Sequence, residues 1–125
     1  MPVPTKVHLR RNSNQLELHF ADQSYCLAAE YLRVYSPSAE VRGHGRGQEK
    51  LQFGKLHVAL QRIESQGNYA IKLVFDDGHD SGIYTWDYLY ELATQQEQYW
   101  QDYLERLHQA GKPRDPETSV VRFSN

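Results

Sequence analysis

Three glycines alternate with basic residues in the segment 42–48, whose residue types suit the binding of an anion. Backbone amides of such loops, together with arginine side chains, bind phosphate in many proteins. The spacing fits neither common phosphate motif, because a dinucleotide fingerprint requires glycine at Gln48 and a P-loop requires Lys-Ser or Lys-Thr after its last glycine. We therefore favour a surface loop that presents Arg42, His44 and Arg46 to a partner.

The segment 77–80 carries an imidazole and two carboxylates, which are groups that iron and zinc accept as ligands. An iron facial triad requires two histidines and one carboxylate at one point, and no second histidine has a spacing that brings it to His79. The sequence favours a structural turn, in which Asp77 and Asp80 cap the following helix. The alternative is a metal-binding protein that holds iron or zinc through His79, with His44 or Asp80 as co-ligand.

Tyrosine is unusually frequent, with nine residues, and the stretch 84–90 is too aromatic to be buried along one helical stripe. Helical spacing directs Trp86, Leu89 and Tyr90 toward the core, which leaves Tyr84 or Tyr88 partly outside. Tyrosine is common at protein interfaces, so this pair is a predicted docking patch. Packing at the edge of the core explains the pattern nearly as well.

The composition excludes several classes of function for a chain of 125 residues, which is enough for one domain. A net charge of −2 argues against binding nucleic acid. No apolar run approaches the ~20 residues of a membrane helix, and the N-terminus lacks the apolar region of a secretory signal. The single cysteine, Cys26, lies between Tyr25 and Leu27 and is predicted to be a buried, inert thiol. These features predict a cytoplasmic protein.

Alternating apolar residues predict two β-hairpins, the second of which joins Val58–Ser65 to Tyr69–Phe75. In the first hairpin, a two-residue turn at 13–14 sets Leu9 opposite Leu18, with the apolar residues of both strands on one face. A register slipped by one residue would place apolar side chains opposite polar ones, so burial favours this pairing.

Helical spacing predicts a short helix over Ala28–Arg33, which ends before Pro37 because a proline disfavours helix in the residue that precedes it. Two C-terminal helices are predicted between Tyr84 and Gln109, since one unbroken helix would be unusually long for this chain. The capping-box pattern Thr94–Glu97 places the boundary between them.

The predicted fold class is α+β, a small antiparallel sheet built from two hairpins, with a short helix near residue 30 and two C-terminal helices covering one face. The segment Pro37–Lys50 is predicted to be a loop. Residues 1–112 are predicted to form a single domain, and residues 113–125 a flexible tail.

Two segments, Leu32–Gly45 and Phe75–Leu89, resemble the gamma-butyrobetaine hydroxylase-like N-terminal domain, and the second contains the specific motif DGHDSGIYTWDYL. The resemblance extends from about Val7 to Leu92. In hydroxylases of that family the domain precedes an iron and 2-oxoglutarate catalytic barrel, and other members are stand-alone bacterial proteins or are fused to Mrp-like ATPases that carry iron–sulfur clusters. No barrel is expected after Leu92, so hydroxylase activity is not expected.

The resemblance also implies a zinc site, which the hydroxylases build from three cysteines and a later histidine. His79 matches the histidine, but the cysteine positions fall on Ser36, Ser38 and Val41. Zinc prefers thiolate, imidazole or carboxylate ligands, so the zinc of the hydroxylases is not expected here.

Together these observations predict a non-catalytic interaction module, not an enzyme, whose partner is another protein rather than nucleic acid or membrane. The fusions imply a role as an accessory to iron–sulfur or metal-cofactor assembly. No cofactor is expected, and iron or zinc belongs only to the metal-binding alternative. The predicted binding surface comprises Arg42, His44, Arg46, Asp77, His79, Tyr84 and Tyr88.

Overall fold

Two antiparallel sheets of three strands each make up the β structure in the part of the chain that the structure describes, which is residues 2–21, 23–42 and 50–117 of a computed structural model. The fold class α+β is confirmed, and the two predicted hairpins lie in separate sheets, each completed by a third strand. The elements are β1 Lys6–Arg10, β2 Gln15–His19, β3 Ser24–Ala28, α1 Ala29–Val34, α2 Ala39–Arg42, β4 Leu60–Gln66, β5 Ala70–Phe75, β6 Ile83–Thr85, α3 Trp86–Thr94 and α4 Gln96–Ala110.

The register of the first hairpin differs from the predicted one. Leu9 pairs with Leu16, and Val7 with Leu18, so each partner lies two residues earlier on β2 than expected. The cause is a longer loop that ends at Asn14, which adopts a left-handed conformation with φ 54°. A slip of two residues leaves every side chain on its original face, so burial alone does not distinguish the two registers.

Asn14 also joins the two sheets. Its side-chain amide donates to the carbonyl of Val58 at 2.9 Å and accepts from the backbone N–H of Leu60 at 3.0 Å. Its own carbonyl accepts from the N–H of Ala29 at the start of α1. A single loop residue therefore fastens the first hairpin to the second sheet and to the first helix.

The main core lies between the two sheets, α1 and α3. Each fully buried leucine or aromatic side chain contributes roughly 1.5–3 kcal/mol relative to an exposed one. In β2 the buried residues alternate, as the period-2 pattern predicts, whereas in β5 every residue except Lys72 is buried, so this strand is covered on both faces. Core residues with no more than 1% exposure include Leu16, Leu18, Leu27, Leu32, Leu73, Phe75, Tyr84, Leu89 and Leu92.

The boundary between α3 and α4 is where the sequence predicts it, at Gln95, but the predicted capping box does not form. The Thr94 hydroxyl instead donates back to the carbonyls of Tyr90 and Glu91 within α3. This bonding to the preceding turn competes with capping of the next helix. At the other end, α4 stops at Gly111, whose φ of 63° suits glycine.

Two further expectations are wrong. Cys26 is exposed rather than buried, because β3 directs Leu27 into the core and its neighbour to the opposite face. The segment predicted as a loop contains the short helix α2. No helix among the described residues is both long and apolar enough to cross a membrane.

The segment that follows α4 is docked at its start, although the sequence assigns all of 113–125 to a flexible tail. The carbonyl of Pro113 accepts from the N–H of Gly54 at 2.9 Å. Arg114 makes two hydrogen bonds to the carboxylate of Glu30, at 2.9 and 2.7 Å. Residues 113 and 114 are therefore hydrogen-bonded to the rest of the domain, and the part beyond residue 117 lies outside the described residues.

We expect Asn14→Gly to destabilise the fold. Glycine adopts the left-handed conformation freely, so this change isolates the loss of the two amide hydrogen bonds. Leaving the Val58 carbonyl and the Leu60 N–H without partners should lower the free energy of unfolding by about 2 kcal/mol in chemical denaturation. The control is Asn12→Gly in the same loop, whose side chain is exposed. Equal effects of the two changes would contradict the bridging role.

Candidate functional site

His79 lies in a buried polar cluster between the end of α1 and the turn after β5. Its Nε2 atom is 2.8 Å from the Ser36 hydroxyl and 3.4 Å from that of Ser38. All three residues are no more than 6% exposed. Gly82 backs the cluster, since a Cβ there would lie 2.5 Å from the Ser36 oxygen. The two serines and the histidine that the family resemblance aligns with zinc ligands are thus neighbours in space.

Asp77 is the acceptor of a second network beside this cluster. One carboxylate oxygen accepts from Arg33 at 2.9 Å and from Lys55 at 3.1 Å, and the other accepts from the N–H of His79. Partial burial opposes ionisation, but these hydrogen bonds prevail and lower the pKa of Asp77. The predicted capping of α3 by this aspartate is wrong, because the Thr85 hydroxyl accepts from Tyr88 at that helix start.

Burial lowers the pKa of His79, and the nearby positive charge of Arg33 lowers it further. Glu40 acts in the opposite direction, with its carboxylate 3.5 Å from Nδ1, but it is largely exposed to solvent. The imidazole is therefore neutral near pH 7. In that form one ring nitrogen donates and the other accepts, which suits a ring placed between a hydroxyl and a carboxylate.

The residues present do not fit the zinc site that the resemblance implies. Two of the three thiolate positions carry serine hydroxyls, which are poor zinc ligands, and the third carries Val41, which has no donor atom. The serine hydroxyls already engage Nε2 of His79. Among the predicted co-ligands, Asp80 is exposed on the same turn and His44 lies outside the described residues. Within the described ranges, no three His, Cys, Asp or Glu residues form a group suited to a metal ion.

A cleft of about 370 Å³ opens on the other side of Ser36, where the end of α1 meets α2, α3 and α4. The guanidinium of Arg42 lies 4.5 Å from the centre of the Tyr88 ring, and Arg106 donates to the Tyr35 hydroxyl at 3.1 Å. The cleft is lined by Val34, Tyr35, Ser36, Val41, Arg42, Lys50, Leu51, Gln52, Tyr88, Tyr103 and Arg106.

The three tyrosines of the cleft are fixed by hydrogen bonds from their hydroxyls to backbone carbonyls. Tyr35 donates to Tyr99 at 2.7 Å, Tyr88 donates to Tyr35 at 2.6 Å, and Tyr103 donates to Gln52 at 2.8 Å. Burial raises the pKa of all three phenols, so they are neutral at physiological pH. The cleft therefore has rigid aromatic walls.

The charged residues that line the cleft are all basic. Arg42, Lys50 and Arg106 come from α2, the following segment and α4, and no aspartate or glutamate is among the lining residues that the structure describes. None of the three forms an ion pair with a described carboxylate. The cleft is a local basic surface on a chain whose net charge is −2.

The structure brings only part of the predicted binding surface together. Arg42 and Tyr88 meet in the cleft. Tyr84 does not belong to a docking surface, because it lies in β6 with no exposure and donates to the carbonyl of Leu32 at 2.6 Å. The sequence predicts a helix from Tyr84 onward, but residues 83–85 form β6, in which Tyr84 is the residue on the buried face. Asp77 belongs to the network with Arg33 and Lys55 described above.

Two predicted residues, His44 and Arg46, lie outside the described residues. The predicted binding surface contains only two of the eleven residues that line the cleft, and it omits four whose aromatic or basic side chains give the cleft its chemistry. On α4, Tyr103 and Arg106 follow Tyr99 at helical spacing, a signal that marks one face of the helix. No comparable signal in the sequence marks the other two, which are Tyr35 and Lys50.

The profile of the family described as gamma-butyrobetaine hydroxylase-like, N-terminal matches residues 7–90. The chain belongs to this family. The match includes α1, both serines and His79, so the buried cluster lies inside the span that the family profile covers, whereas α4 lies beyond it. No curated protein matches the chain.

Solved structures similar to this family member include two NMR solution structures. One is 55% identical with a TM-score of 0.85, covering 100% of this chain and 99% of that one. The other is 46% identical with a TM-score of 0.79, covering 100% and 95%. A crystal structure of a protein of unknown function of the DUF971 family, from Acidithiobacillus ferrooxidans, is 34% identical with a TM-score of 0.61, covering 72% and 91%.

We expect His79 to make stability depend on pH. The unfolded chain binds a proton at His79 near its ordinary pKa of 6.5, and the folded chain binds it only at lower pH. The stability that this residue contributes is therefore complete above that pKa and is lost as pH falls below it. Urea unfolding of His79→Gln should show a smaller loss between about pH 7.5 and pH 5.5 than the parent chain.

The control for this measurement is His57→Gln, which changes a histidine whose side chain is 63% exposed. Its contact with the partly exposed Asp115 is screened by solvent, so this variant should change the pH dependence of unfolding much less than His79→Gln does. A parent-like slope in the His79 variant would show that the buried imidazole is not the group responsible.

Proposed function

We propose that this domain is a non-catalytic interaction module that binds another protein through the cleft between α1, α2, α3 and α4. The observation that supports this most is the composition of the cleft, in which fixed tyrosine rings and cations that form no ion pair with a described carboxylate surround apolar side chains. Tyrosine and arginine are enriched at protein interfaces and among the residues that dominate binding energy.

The chemistry of the lining residues supports binding rather than catalysis. Arginine stays protonated in proteins, and the three tyrosines are neutral with hydroxyls already donated to carbonyls. General acid–base catalysis requires a group that exchanges a proton near the working pH. Histidine is the residue type that most often supplies such a group, but His79 lies in the buried cluster and does not line the cleft.

The family resemblance supports a finer proposal about the partner. Because related domains are fused to ATPases that carry iron–sulfur clusters, we propose that the partner acts in iron–sulfur or metal-cofactor assembly in the cytoplasm. In this proposal the domain itself holds no cofactor, and its contribution is to bring the partner to its site of action.

Site-specific photo-crosslinking in intact cells tests the binding surface. A photoreactive residue replacing Leu51, in the cleft, should give a discrete product with another protein. The same residue at Tyr69, which is 58% exposed and outside the cleft, is the control and should not give that product. Adding Arg106→Ala should weaken the product from position 51. The same product from both positions would count against the cleft.

The second candidate is metal binding by His79, and its support is the 3.5 Å approach of an imidazole nitrogen to the Glu40 carboxylate. In this alternative His44 or Asp80 supplies the co-ligand. Under the interaction proposal, protein purified without an affinity tag should contain no stoichiometric iron or zinc, and neither metal should raise the melting temperature. Stoichiometric metal that is lost in His79→Ala, but kept in His57→Ala, would favour metal binding instead.

A further inference from the structure

The cleft of the proposed interaction module has a chemistry that specifies its ligand further. We infer that it binds an acidic peptide segment of the partner, in which a carboxylate side chain is flanked by apolar ones. This inference rests on the proposed function, since it names the kind of surface that the cleft recognises.

The first argument is charge. Arg42, Lys50 and Arg106 approach one cleft from three segments that are separate in sequence, and no carboxylate among the described residues forms an ion pair with them. Asp102 and Glu105 line a neighbouring depression beside Arg106 and do not line the cleft. The attraction of the three cations therefore favours an anion in the cleft. Guanidinium groups bind carboxylates through paired hydrogen bonds, which gives the contact direction as well as strength.

The second argument concerns the neutral groups. The hydroxyls of Tyr35, Tyr88 and Tyr103 donate to carbonyls of the chain itself, so the tyrosines contribute mainly their rings to a ligand. The basic side chains are therefore the principal donors that remain for recognition. An uncharged polar ligand would find few partners, whereas a carboxylate would find charged ones.

The third argument is the volume of the cleft and the combination of apolar and basic side chains that line it. A volume of about 370 Å³ exceeds that of a single inorganic anion and is at the lower end of the range for clefts that bind organic ligands. Apolar side chains of Val34, Val41 and Leu51 share the lining with the cations. A segment in which acidic and apolar side chains alternate matches both features, and an inorganic anion matches only the charge.

Titration of the isotope-labelled full chain, followed by NMR, tests this inference. The probe is a short acetylated peptide in which Glu and Leu alternate, and the matched control peptide replaces each Glu with Gln. The Glu peptide should shift the amide signals of Arg42, Lys50 and Arg106 and bind at least about tenfold more tightly than the Gln peptide. Added salt should weaken it, because the attraction is between charges.

Substitution of the basic side chains distinguishes binding in the cleft from attraction to basic residues elsewhere on the surface. Lys50→Ala and Arg106→Ala should each weaken binding of the Glu peptide several-fold, while the spectrum of the free protein keeps the dispersion of a folded chain. The control Arg62→Ala removes an exposed arginine on β4, outside the cleft, and should leave the affinity unchanged. Equal losses in all three variants would overturn the inference.

The remaining outcomes distinguish this inference from the proposed function. Equal binding of the Gln and Glu peptides in the cleft would overturn the acidic specificity and leave protein binding intact. Inorganic phosphate that displaces the Glu peptide at equal concentration would overturn it in favour of a small-anion site, and tighter binding of a single-stranded oligonucleotide would do so in favour of nucleic acid. Absence of both peptide binding and the crosslink at Leu51 would overturn the inference and the proposed function together.

Discussion

Hydrogen bonds from tyrosine hydroxyls to backbone carbonyls hold the helices of this domain to one another and to the sheets. Five of the nine tyrosines, all within the described part of the chain, make such a bond to another element or segment. A small domain with two short sheets has little apolar area to bury. A tyrosine stabilises such a domain in two ways, because it buries its ring and its hydroxyl donates to a backbone carbonyl of another element or segment. The donors are Tyr31, Tyr35, Tyr84, Tyr88 and Tyr103.

These tyrosine hydrogen bonds fix the segment at the end of α1, which has the buried polar cluster on one side and the open basic cleft on the other. Tyr84 binds the carbonyl of Leu32 and Tyr88 binds that of Tyr35, so both fix the end of α1. Ser36 follows at once and turns its hydroxyl to His79. Hydrogen bonds between His79 and the hydroxyls of Ser36 and Ser38 organise this segment.

The sequence predicts the strands of both hairpins and the two C-terminal helices, because burial imposes a period on each, but it misses β6. It does not predict features that depend on the conformation of a loop or on a contact between residues that are distant in sequence. The hairpin register depends on the left-handed conformation of Asn14, which side-chain alternation does not reveal. Only the family resemblance indicates that Ser36 and His79 lie close together, because it aligns both residues with ligands of one zinc ion. The cleft combines Tyr35, Lys50 and Arg106 from separate segments, and no spacing rule relates them.

The anchored rings of the cleft have a thermodynamic consequence for whatever binds there. Ordering a flexible side chain at an interface costs about 0.5–1.5 kcal/mol, a loss of rotational entropy that subtracts from affinity. The cleft tyrosines lost that freedom when the chain folded, and Arg42 is partly ordered by its stacking on Tyr88. A ligand therefore meets a surface whose shape is already set, and its own flexibility becomes the main entropic cost of association.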